Sequence, residues 1–577
     1  MSMKNLTYVG YFNKQGWTPE RENNEILWLE GEQLEAIKIQ SDVALQVEAW
    51  CPIDNVWSSA AENEIVGTIK KGKGLSAIKI RKKEVGANIY YRAYLRGCGW
   101  TAFCIEGECC GVDDVGTEAV IEGIQMFCLQ EQEDLNRKLQ KAEEMLEEYT
   151  WKKSHLFVHN PEKLLLAYTK NYMLEGNAGV KEVERGVLLP LKQLKKETRD
   201  GIYGGGVLDS ELNWVAGLER KKDLSMNLTC LEGYPIKEQD IEKREEVVVF
   251  GGIFSNHFGH LFTECLSRLW YVASNEVKLP VAVLAKPGEE DFLHDFIHLL
   301  GIDDERLIII ERPVRFSKII VPDQTFRLWS DFRKEYITIY DKILENIVPD
   351  KREKVYLTRT ALTTQDGINE QFFEKFFEKR GYEVISPEQL SIPEQLSLLT
   401  GAKEIICTEG TLSHLGLFCK KGTKLTIIRR TIDTVLTAQL IINQARGLKV
   451  TYIDATHNFL PVKHSGGIFL YGPTQHFREY LEANKIDYLE EELDFHPEDF
   501  CYEYLYNWCK NYRIIRNFTT ISKMNIVDLI SSLSQVFGEE ELVRKEYKTY
   551  ASKKIKELKQ EIVKLQQENS MLKDKLM

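Results

Sequence analysis

The chain has 577 residues, of which 43% are hydrophobic and 28% charged, and its formal net charge is −13. This length predicts three or four domains, and the negative charge argues against a basic nucleic-acid surface as the main function. No apolar run approaches the roughly 18 residues of a membrane span, and the N-terminus lacks a signal-peptide pattern. The twelve cysteines have no framework spacing. We therefore expect reduced cysteines and a cytoplasmic protein.

Residues 1–128 contain one sequence unit three times. Each copy opens with an alternating run and closes with a second one, the closing runs being Leu34–Ile39, Leu75–Ile80 and Ile121–Met126. A tryptophan follows each opening run, at Trp17, Trp57 and Trp100. Alternation predicts strands with one buried face, and three such units are expected to close as a β-prism or a β-trefoil.

The units resemble the Clostridial hydrophobic, tryptophan-bearing repeats. The match rests on Leu34–Ile39 and on Tyr91, Ala93, Tyr94, Gly97, Gly99 and Trp100. Threefold modules of this kind often bind sugars, which makes Trp17, Trp57 and Trp100 candidates for stacking on glycans. Packing is the favoured interpretation, because large aromatic side chains mostly serve the core. The middle copy lacks the glycine before its tryptophan, so the sequence does not define its turn.

A helical spacer is predicted over residues 129–153. Its apolar residues step by four and three, at Leu135, Leu139, Ala142, Leu146 and Tyr149. One apolar stripe of this kind belongs to a short coiled coil or to a helix docked on a neighbouring domain. Docking or simple spacing is the preferred interpretation.

Residues 154–347 are predicted to form a first α/β half. Its strands are placed at 246–250, 281–284, 307–310 and 318–321, with helices through 261–270, at 291–300 and at 331–347. After the first strand come Asn256, His257, His260 and Glu264, the densest set of titratable groups beside a strand end. His260 and Glu264 are four residues apart and project from one helical face. Two interpretations have equal weight. Either the cluster is functional, or His257 caps the helix and His260 is a buried, hydrogen-bonded residue.

Residues 348–471 are predicted to form a second α/β half. Strands at 355–357, 382–385, 404–407 and 425–428 alternate with helices at about 369–380 and 392–400. This alternation indicates βαβ units and a parallel sheet, whose ligands bind beyond the carboxyl ends of the strands. Two segments follow such ends, Thr358-Arg359-Thr360 and Thr408-Glu409-Gly410-Thr411. The guanidinium of the first and a helix N-terminus in the second suit a diphosphate.

The two halves resemble glycosyltransferase family 61 over roughly residues 204–450. The match rests on motifs in a fixed order: Asn256 to His260, Arg268-Leu269-Trp270, Tyr356-Leu357-Thr358-Arg359, Asn369-Glu370, Gly381-Tyr382-Glu383-Val384, Glu409-Gly410-Thr411 and Lys421-Gly422-Thr423. The resemblance implies twin Rossmann domains of the GT-B type. It also implies an inverting sugar transfer from a nucleotide sugar, without a bound metal or other cofactor, UDP-sugars being the expected donors and a glycan or glycoprotein the acceptor.

Roles for individual residues follow from the needs of inversion, which are a proton acceptor and groups that neutralise the leaving diphosphate. The base is His257 or His260, with Glu264 orienting it or acting instead. Arg359 is the phosphate clamp, since a guanidinium can bind two oxygens. The remaining donor contacts are assigned to Asn256, Arg268, Thr408, Glu409, Gly410, Thr411 and His414.

Two alternatives stay open. The family commonly has His-Gly-Ala where this chain has Glu409-Gly410-Thr411, which keeps a non-catalytic, glycan-binding scaffold as the second hypothesis. The third is a metal hydrolase that uses His257, His260 and Glu264, although the H-E-x-x-H arrangement is absent.

The last part of the chain is predicted to be helical over residues 472–550 and a coiled coil over 551–577. Apolar residues step by three and four at Ile555, Leu558, Ile562, Leu565, Leu572 and Leu576, with Asn569 at an a position. That composition favours a parallel two-stranded coiled coil, in which the asparagine fixes the register. We therefore expect a homodimer.

Overall fold

A computed structural model describes residues 6–83, 87–114, 117–130, 135–195, 202–218, 233–255, 257–274, 277–285, 291–362, 367–432, 434–460, 462 and 467–510. Among the described residues up to 130, strands are the only regular elements. These are β1 (Leu6–Phe12), β2 (Gly16–Trp17), β3 (Arg21–Glu22), β4 (Ile26–Trp28), β5 (Leu34–Ser41), β6 (Leu45–Cys51), β7 (Val56–Ala61), β8 (Ile65–Gly67), β9 (Ala77–Lys82), β10 (Ala87–Leu95), β11 (Gly99–Trp100), β12 (Cys104–Ile105), β13 (Cys110–Gly111) and β14 (Ile121–Gln130).

The three sequence copies fold alike. In each copy the opening run and the closing run form one antiparallel pair, β1 with β5, β6 with β9, and β10 with β14. The closing strand of each copy then pairs with a short strand of the next copy, β5 with β8, β9 with β13, and β14 with β4 of the first. The inward side chains of all three copies share one core. The repeats therefore close into a ring of three units, which confirms an antiparallel β-rich N-terminal region.

The middle copy differs from the other two at the strand that contains its tryptophan. β2 and β11, each a Gly-Trp pair, are two residues long, whereas β7 has six and pairs with β6 throughout. Trp57 and Trp100 are half-buried, and Lys79 Nζ lies 3.8 Å from the centre of the Trp57 ring. Trp17 is 40% exposed and packs edge-on against Tyr11. Part of each of these three tryptophan side chains is therefore packed against neighbouring residues.

The middle of the chain begins with a docked helix and continues as an α/β region. Its elements are α1 (Leu135–Ser154), β15 (Leu156–Phe157), α2 (Pro161–Tyr168), β16 (Val180–Glu184), β17 (Val187–Lys195), β18 (Ile202–Leu208), β19 (Trp214–Ala216), β20 (Glu242–Lys243), β21 (Val247–Phe254), α3 (Phe258–Thr263), α4 (Trp270–Ser274), β22 (Val281–Ala285), α5 (Asp291–Leu299), β23 (Leu307–Ile309), β24 (Val314–Arg315), β25 (Lys318–Pro322), β26 (Phe326–Arg327), β27 (Asp331–Phe332) and α6 (Tyr336–Leu344).

The spacer helix α1 docks on the β module. Tyr149 is buried, and its hydroxyl donates to the carbonyl of Trp28, on which its ring also stacks. Glu143 accepts from the guanidinium of Arg92 at 2.7 Å. The docking interpretation of the spacer is therefore correct.

Two sheets fill the first α/β region and share one hydrophobic core. The first has the order β16-β25-β21-β22-β23, parallel except for the edge strand β16. The second has the order β19-β18-β17-β24-β20, and the sequence patterns did not predict it. The helix predicted through 261–270 is broken, with a 3-10 turn over Cys265–Arg268 between α3 and α4. The hydroxyl of Ser267 donates to the carbonyl of Glu264 at 2.5 Å and so competes with the helical hydrogen bond there.

The last described part contains a second parallel sheet and several helices. Its elements are β28 (Lys354–Leu357), β29 (Gly367–Ile368), α7 (Gln371–Glu378), β30 (Glu383–Ile385), α8 (Ile392–Gly401), β31 (Glu404–Thr408), α9 (Thr411–His414), β32 (Lys424–Arg429), α10 (Thr437–Arg446), β33 (Lys449–Asp454), β34 (Phe469–Leu470), α11 (Gln475–Ala483) and α12 (Cys501–Lys510). The pairs of β31 with β28 and with β32 are parallel, as the βαβ pattern predicts.

The chain divides into two compact units. The first comprises Met1–Leu357, Pro387–Ile428 and Val435–Ile453, and the second Thr358–Ser386, Arg429–Thr434 and Asp454–Met577. Aromatic side chains build the core of the second unit, where Phe373 of α7 lies 5.3 Å, between ring centres, from Phe477 of α11.

No described helix is long and apolar enough to cross a membrane. The predicted helical region 472–550 contains α11 and α12 among its described residues. The predicted coiled coil at 551–577 lies outside them.

Candidate active site

His257 caps the helix that follows the central strand of the first α/β sheet. β21 ends at Phe254, and α3 begins at Phe258 with His257 at its N-cap position. The Nδ1 of His257 accepts the backbone N–H of His260 at 3.4 Å, and the residue is exposed. The capping interpretation therefore holds for His257. Asn256 lies outside the described residues.

His260 and Glu264 form a directed pair. The Nδ1 of His260 lies 2.7 Å from Oε2 of Glu264, whose side chain is fully buried while that of His260 is 18% exposed. A carboxylate accepts but does not donate, so the proton of this hydrogen bond belongs to Nδ1. The other ring nitrogen, Nε2, then carries the lone pair and can accept a proton. This is the arrangement of a general base held by a buried carboxylate.

Two tyrosines of α6 fix the backbone of α3 from behind. The hydroxyls of Tyr336 and Tyr340 both donate to the carbonyl of Phe262, and the two hydroxyl oxygens lie 2.9 Å apart. Burial raises the pKa of Tyr336 well above its usual value, and the nearby Tyr340 and the charge of Glu264 add to this effect. Both hydroxyls therefore remain neutral donors that anchor the helix.

The loop after β31 lies against α3 in the first unit. The two helices α3 and α9 are in contact. A Cβ built on Gly259 would lie 3.2 Å from Oγ1 of Thr411 and 3.5 Å from Cε1 of His257. The distance to Thr411 is tighter than most Cβ contacts, whereas that to His257 is ordinary van der Waals contact. The Gly410-Thr411 loop and the histidine turn are thus neighbours, as the resemblance implies.

Gly410 holds a backbone conformation that side chains rarely adopt, with φ 122° and ψ −143°. Replacing Gly410 with alanine is expected to destabilise the protein by about 1–3 kcal/mol, because this region is nearly exclusive to glycine. The lowering of the thermal unfolding temperature measures the effect. Ser413→Ala is the control, since it removes the hydrogen bonds around Gly410 without changing its φ. An unfolding temperature equal to that of the wild type for Gly410→Ala would contradict the strain.

The anion site predicted at this loop is weaker than the sequence suggests. α9 has only four residues before a 3-10 turn, so its dipole is short. The N–H of Gly410 already donates to the hydroxyl of Ser413 at 3.2 Å. Thr408 and Glu409 are buried, at 1% and 2% exposure. Gly410, Thr408 and Glu409 are therefore poorly placed for the donor contacts predicted for them. Thr411 is the residue of this loop that a ligand could still reach.

His414 ends a chain of buried amides. Its Nδ1 lies 2.8 Å from Oε1 of Gln439, whose Nε2 donates to Asn443 at 2.8 Å. Asn443 in turn donates to the hydroxyl of Tyr452 at 2.8 Å. Because the amide oxygen of Gln439 can only accept, His414 carries its proton on Nδ1, and its Nε2 is an acceptor. This network of amides fixes the orientation and the tautomer of the His414 ring.

Arg268 is buried and bonded to backbone carbonyls, and the donor contact predicted for it stays a prediction. It is 4% exposed. Its guanidinium donates to the carbonyl of Pro322 and, at 2.8 Å, to that of Gly217. These bonds fasten the 3-10 turn after α3 to two neighbouring loops. A buried guanidinium requires such partners, and sequence cannot distinguish it from an exposed one.

The second unit contains a separate charged cluster around Arg359. The backbone N–H of Arg359 donates to Glu370, which is 3% exposed. Burial raises the pKa of Glu370 to about 7, and the charges of Arg430 and Arg359 oppose that rise. Arg430 is also buried, with its guanidinium 5.2 Å from the centre of the Phe469 ring. The charges of two guanidinium groups thus act on a carboxyl group that changes its protonation state near pH 7.

The hydroxyls beside Arg359 are already engaged. Thr358 and Thr360 both donate to Oε1 of Glu374, at 2.5 and 2.6 Å. They hold the turn after β28 against α7. The clamp predicted there consequently rests on the guanidinium groups rather than on the threonines.

Sequence reasoning missed several of these residues. Glu370 belongs to one of the motifs that carry the family resemblance, but no role was predicted for it, and none was predicted for Arg430. Arg430 follows β32 in the way that Arg359 follows β28, a shared position after a parallel strand that could have drawn attention to it. No sequence signal links Gln439 and Asn443 to His414, because they are 25 and 29 residues away.

Comparison with known families supports the domain assignment. The family model described as Glycosyltransferase 61 matches residues 258–426, which include α3, the Arg359 turn and the Gly410 loop. The comparison identifies no family for the N-terminal repeats. A search of curated proteins finds none that matches the chain.

Proposed function

Because residues 258–426 carry a glycosyltransferase family 61 domain, we propose that the protein transfers a sugar from a nucleotide-sugar donor to a glycan or protein acceptor with inversion at the anomeric carbon. The observation that carries this proposal is the pair of His260 and Glu264 inside the matched domain, 2.7 Å apart with the carboxylate fully buried. Family membership indicates sugar transfer, and the pair supplies the base that inversion requires.

His260 is the proposed base, with Glu264 as its positioning residue. Nε2 takes the proton of the acceptor hydroxyl as that oxygen attacks the sugar. Glu264 stabilises the imidazolium that forms and keeps the ring in one tautomer, as a carboxylate does in other histidine-based sites. Removal of the proton in step with attack avoids a free alkoxide.

Arg359 and Arg430 are proposed to bind the diphosphate of the donor. Each guanidinium offers several donors in a planar fork that matches phosphate oxygens. Leaving-group charge is neutralised by fixed cations in this scheme, so no metal ion is required for that step. UDP-sugars are the proposed donors. The fold proposed for the α/β region is GT-B, and that for residues 1–128 is a threefold β-prism or β-trefoil that binds glycan acceptors.

A thermal-shift panel of UDP-, GDP-, CMP- and dTDP-sugars tests the donor site. At least one nucleoside-diphosphate sugar is expected to raise the unfolding temperature, and CMP-sugars, with one phosphate, are expected to raise it less. Arg359→Ala should abolish the shift, because bidentate phosphate contacts are lost. Arg478→Ala is the control, since Arg478 belongs to the same unit and pairs only at the surface, with Glu490. A shift that persists in Arg359→Ala would remove Arg359 from the donor site.

A non-catalytic scaffold is the second candidate. One observation favours it: the N–H of Gly410 is bonded to Ser413 in a loop that departs from the family pattern. The same panel separates the two functions, with donor hydrolysis as a second readout. Neither binding nor hydrolysis with any donor, together with glycan binding by the β module, would favour the scaffold.

We also propose a cytoplasmic homodimer joined through residues 551–577. The heptad with Asn569 at an a position supports the dimer. Deleting residues 551–577 is expected to convert a dimer to a monomer, as measured by light scattering on a sizing column. A monomeric full-length chain, or an unchanged mass after deletion, would contradict the proposal.

A further inference from the structure

One face of α5 carries two histidines that point at the same carboxylate oxygen. His294 and His298 are four residues apart and therefore lie one above the other on the helix. The Nδ1 of His294 and the Nε2 of His298 each lie 2.9 Å from Oδ1 of Asp304. All three side chains are open to solvent, with 44%, 49% and 65% of their surface exposed.

A rigid turn holds Asp304 in this position. After α5, Gly301 adopts φ 75°, and its N–H donates to the carbonyl of His298 at 2.9 Å. The N–H of Ile302 donates to the carbonyl of Ile297 at 3.1 Å, and the Ile302 side chain is buried. This hydrogen-bond pair is a Schellman motif with its hydrophobic anchor. The carboxylate is consequently presented to the histidines by the backbone.

From this arrangement we propose that His294, His298 and Asp304 form a binding site for a divalent transition-metal ion of the zinc type. The three candidate ligand atoms lie within 4.8 Å of one another. The described residues contain no second group of three like this one, and the cluster at α3 does not form one. Zinc binds imidazole nitrogen and carboxylate oxygen at about 2.0–2.2 Å, which places adjacent ligand atoms about 3.3 Å apart in a tetrahedron. The two nitrogen-to-oxygen distances of 2.9 Å need to widen only slightly.

The chemistry of the ligands selects the ion. Two neutral imidazoles and one carboxylate suit zinc and its first-row neighbours, whereas calcium and magnesium prefer oxygen alone. The ion would replace the protons that the two rings now share with Asp304.

The site would fasten the end of α5 to the turn that follows it. The opposite face of α5 packs on α3, with Phe296 5.6 Å from Phe262 and Phe292 5.1 Å from Phe258, between ring centres. A bound ion would therefore brace the helix that supports the His260 turn. This site is separate from the proposed transfer reaction, and its existence does not depend on that function.

Calorimetric titration of the untagged full-length protein with zinc chloride, after chelator treatment and desalting, tests the proposal. We expect one ion per chain and a rise in unfolding temperature with zinc in the wild type. His298→Ala and Asp304→Asn should bind zinc at least tenfold more weakly and should lack that rise. Asp304→Asn keeps an acceptor for both rings, so its loss of binding reports the charge rather than the fold. His476→Ala is the matched control, because His476 pairs with a single carboxylate, Glu479, and it should bind as the wild type does.

Cobalt(II) gives a second readout, since its visible absorption reports coordination by protein ligands. The spectrum is expected in the wild type and should be absent in His298→Ala. Zinc binding with equal affinity in the wild type and His298→Ala, or no stoichiometric binding in the wild type, would overturn the proposal.

Discussion

Replacing His260 with alanine is expected to lower kcat at least a hundredfold, with little change in the KM for the donor. Removing a general base from a transfer reaction typically costs between two and four orders of magnitude, because the proton must then leave to water. Initial rates at saturating donor, with the nucleotide sugar that gives the largest thermal shift, measure the effect. The donor KM should hold because the base acts on the acceptor hydroxyl.

His257→Ala is the matched control for this prediction. The two rings are neighbours, 4.5 Å apart between centres, but His257 is exposed and caps α3. Losing that cap is expected to lower stability by about 0.5–2 kcal/mol and to lower kcat less than tenfold. A larger loss of kcat for His257→Ala than for His260→Ala would transfer the role of base to His257.

Glu264→Gln separates positioning from chemistry. A glutamine can still meet the Nδ1 hydrogen of His260, but it lacks the charge that stabilises the imidazolium. We expect kcat to fall more than tenfold while the fold and donor binding remain. If Glu264→Gln keeps full kcat, the buried carboxylate serves only the structure of α3.

The strands were predictable and the electrostatics of the site were not. The β-branched runs at β28, β31 and β32 lie between short helices with clear apolar faces, so their period and spacing fix their type. Residue order also reveals the threefold β module, because three copies must bury the same positions. Local patterns of this kind carry secondary structure and repeat symmetry.

Burial depends instead on contacts that are distant in sequence. Arg268 reads as a ligand-binding cation, yet its guanidinium donates to carbonyls 51 and 54 residues away. Glu370 reads as a helix-start carboxylate, yet it is buried beside Arg359 and Arg430. The break after α3 arises from the competing hydroxyl of Ser267. Each of these features required the tertiary structure.

The second large effect concerns Glu370 and pH. Its pKa is about 7 in the folded protein, compared with an ordinary value of 4.5. The folded state therefore binds a proton that the unfolded state releases between these two values. The stability that the neutral carboxyl contributes is fully present below about pH 4.5 and is lost as pH rises through 7. The full change corresponds to about 3 kcal/mol.

Glu370→Gln should remove this dependence, because an amide stays neutral. The unfolding temperature of Glu370→Gln relative to the wild type is expected to rise between pH 5 and about pH 7 and to level off above that, where the carboxyl is ionised in both states. Glu492→Gln is the matched control in the same unit. Hydrogen bonds from Arg380 and Lys379 lower the pKa of Glu492 to about 2, so its contribution is constant over that range. If the difference in unfolding temperature between the wild type and Glu370→Gln does not vary with pH, Glu370 titrates outside the range from pH 5 to pH 8.

The same carboxyl is expected to control donor affinity. When ionised, Glu370 places a negative charge near Arg359 and Arg430 that repels the diphosphate, and protonation removes that charge. The wild type should therefore bind its nucleotide sugar about tenfold more tightly at pH 6 than at pH 8.5, since neutralising a nearby like charge favours the bound anion. Calorimetry in buffers of different ionisation enthalpy should show proton uptake on binding near pH 7. Glu370→Gln should bind tightly at both pH values and take up no proton. Equal pH dependence in both proteins would mean that the donor diphosphate does not meet this arginine pair.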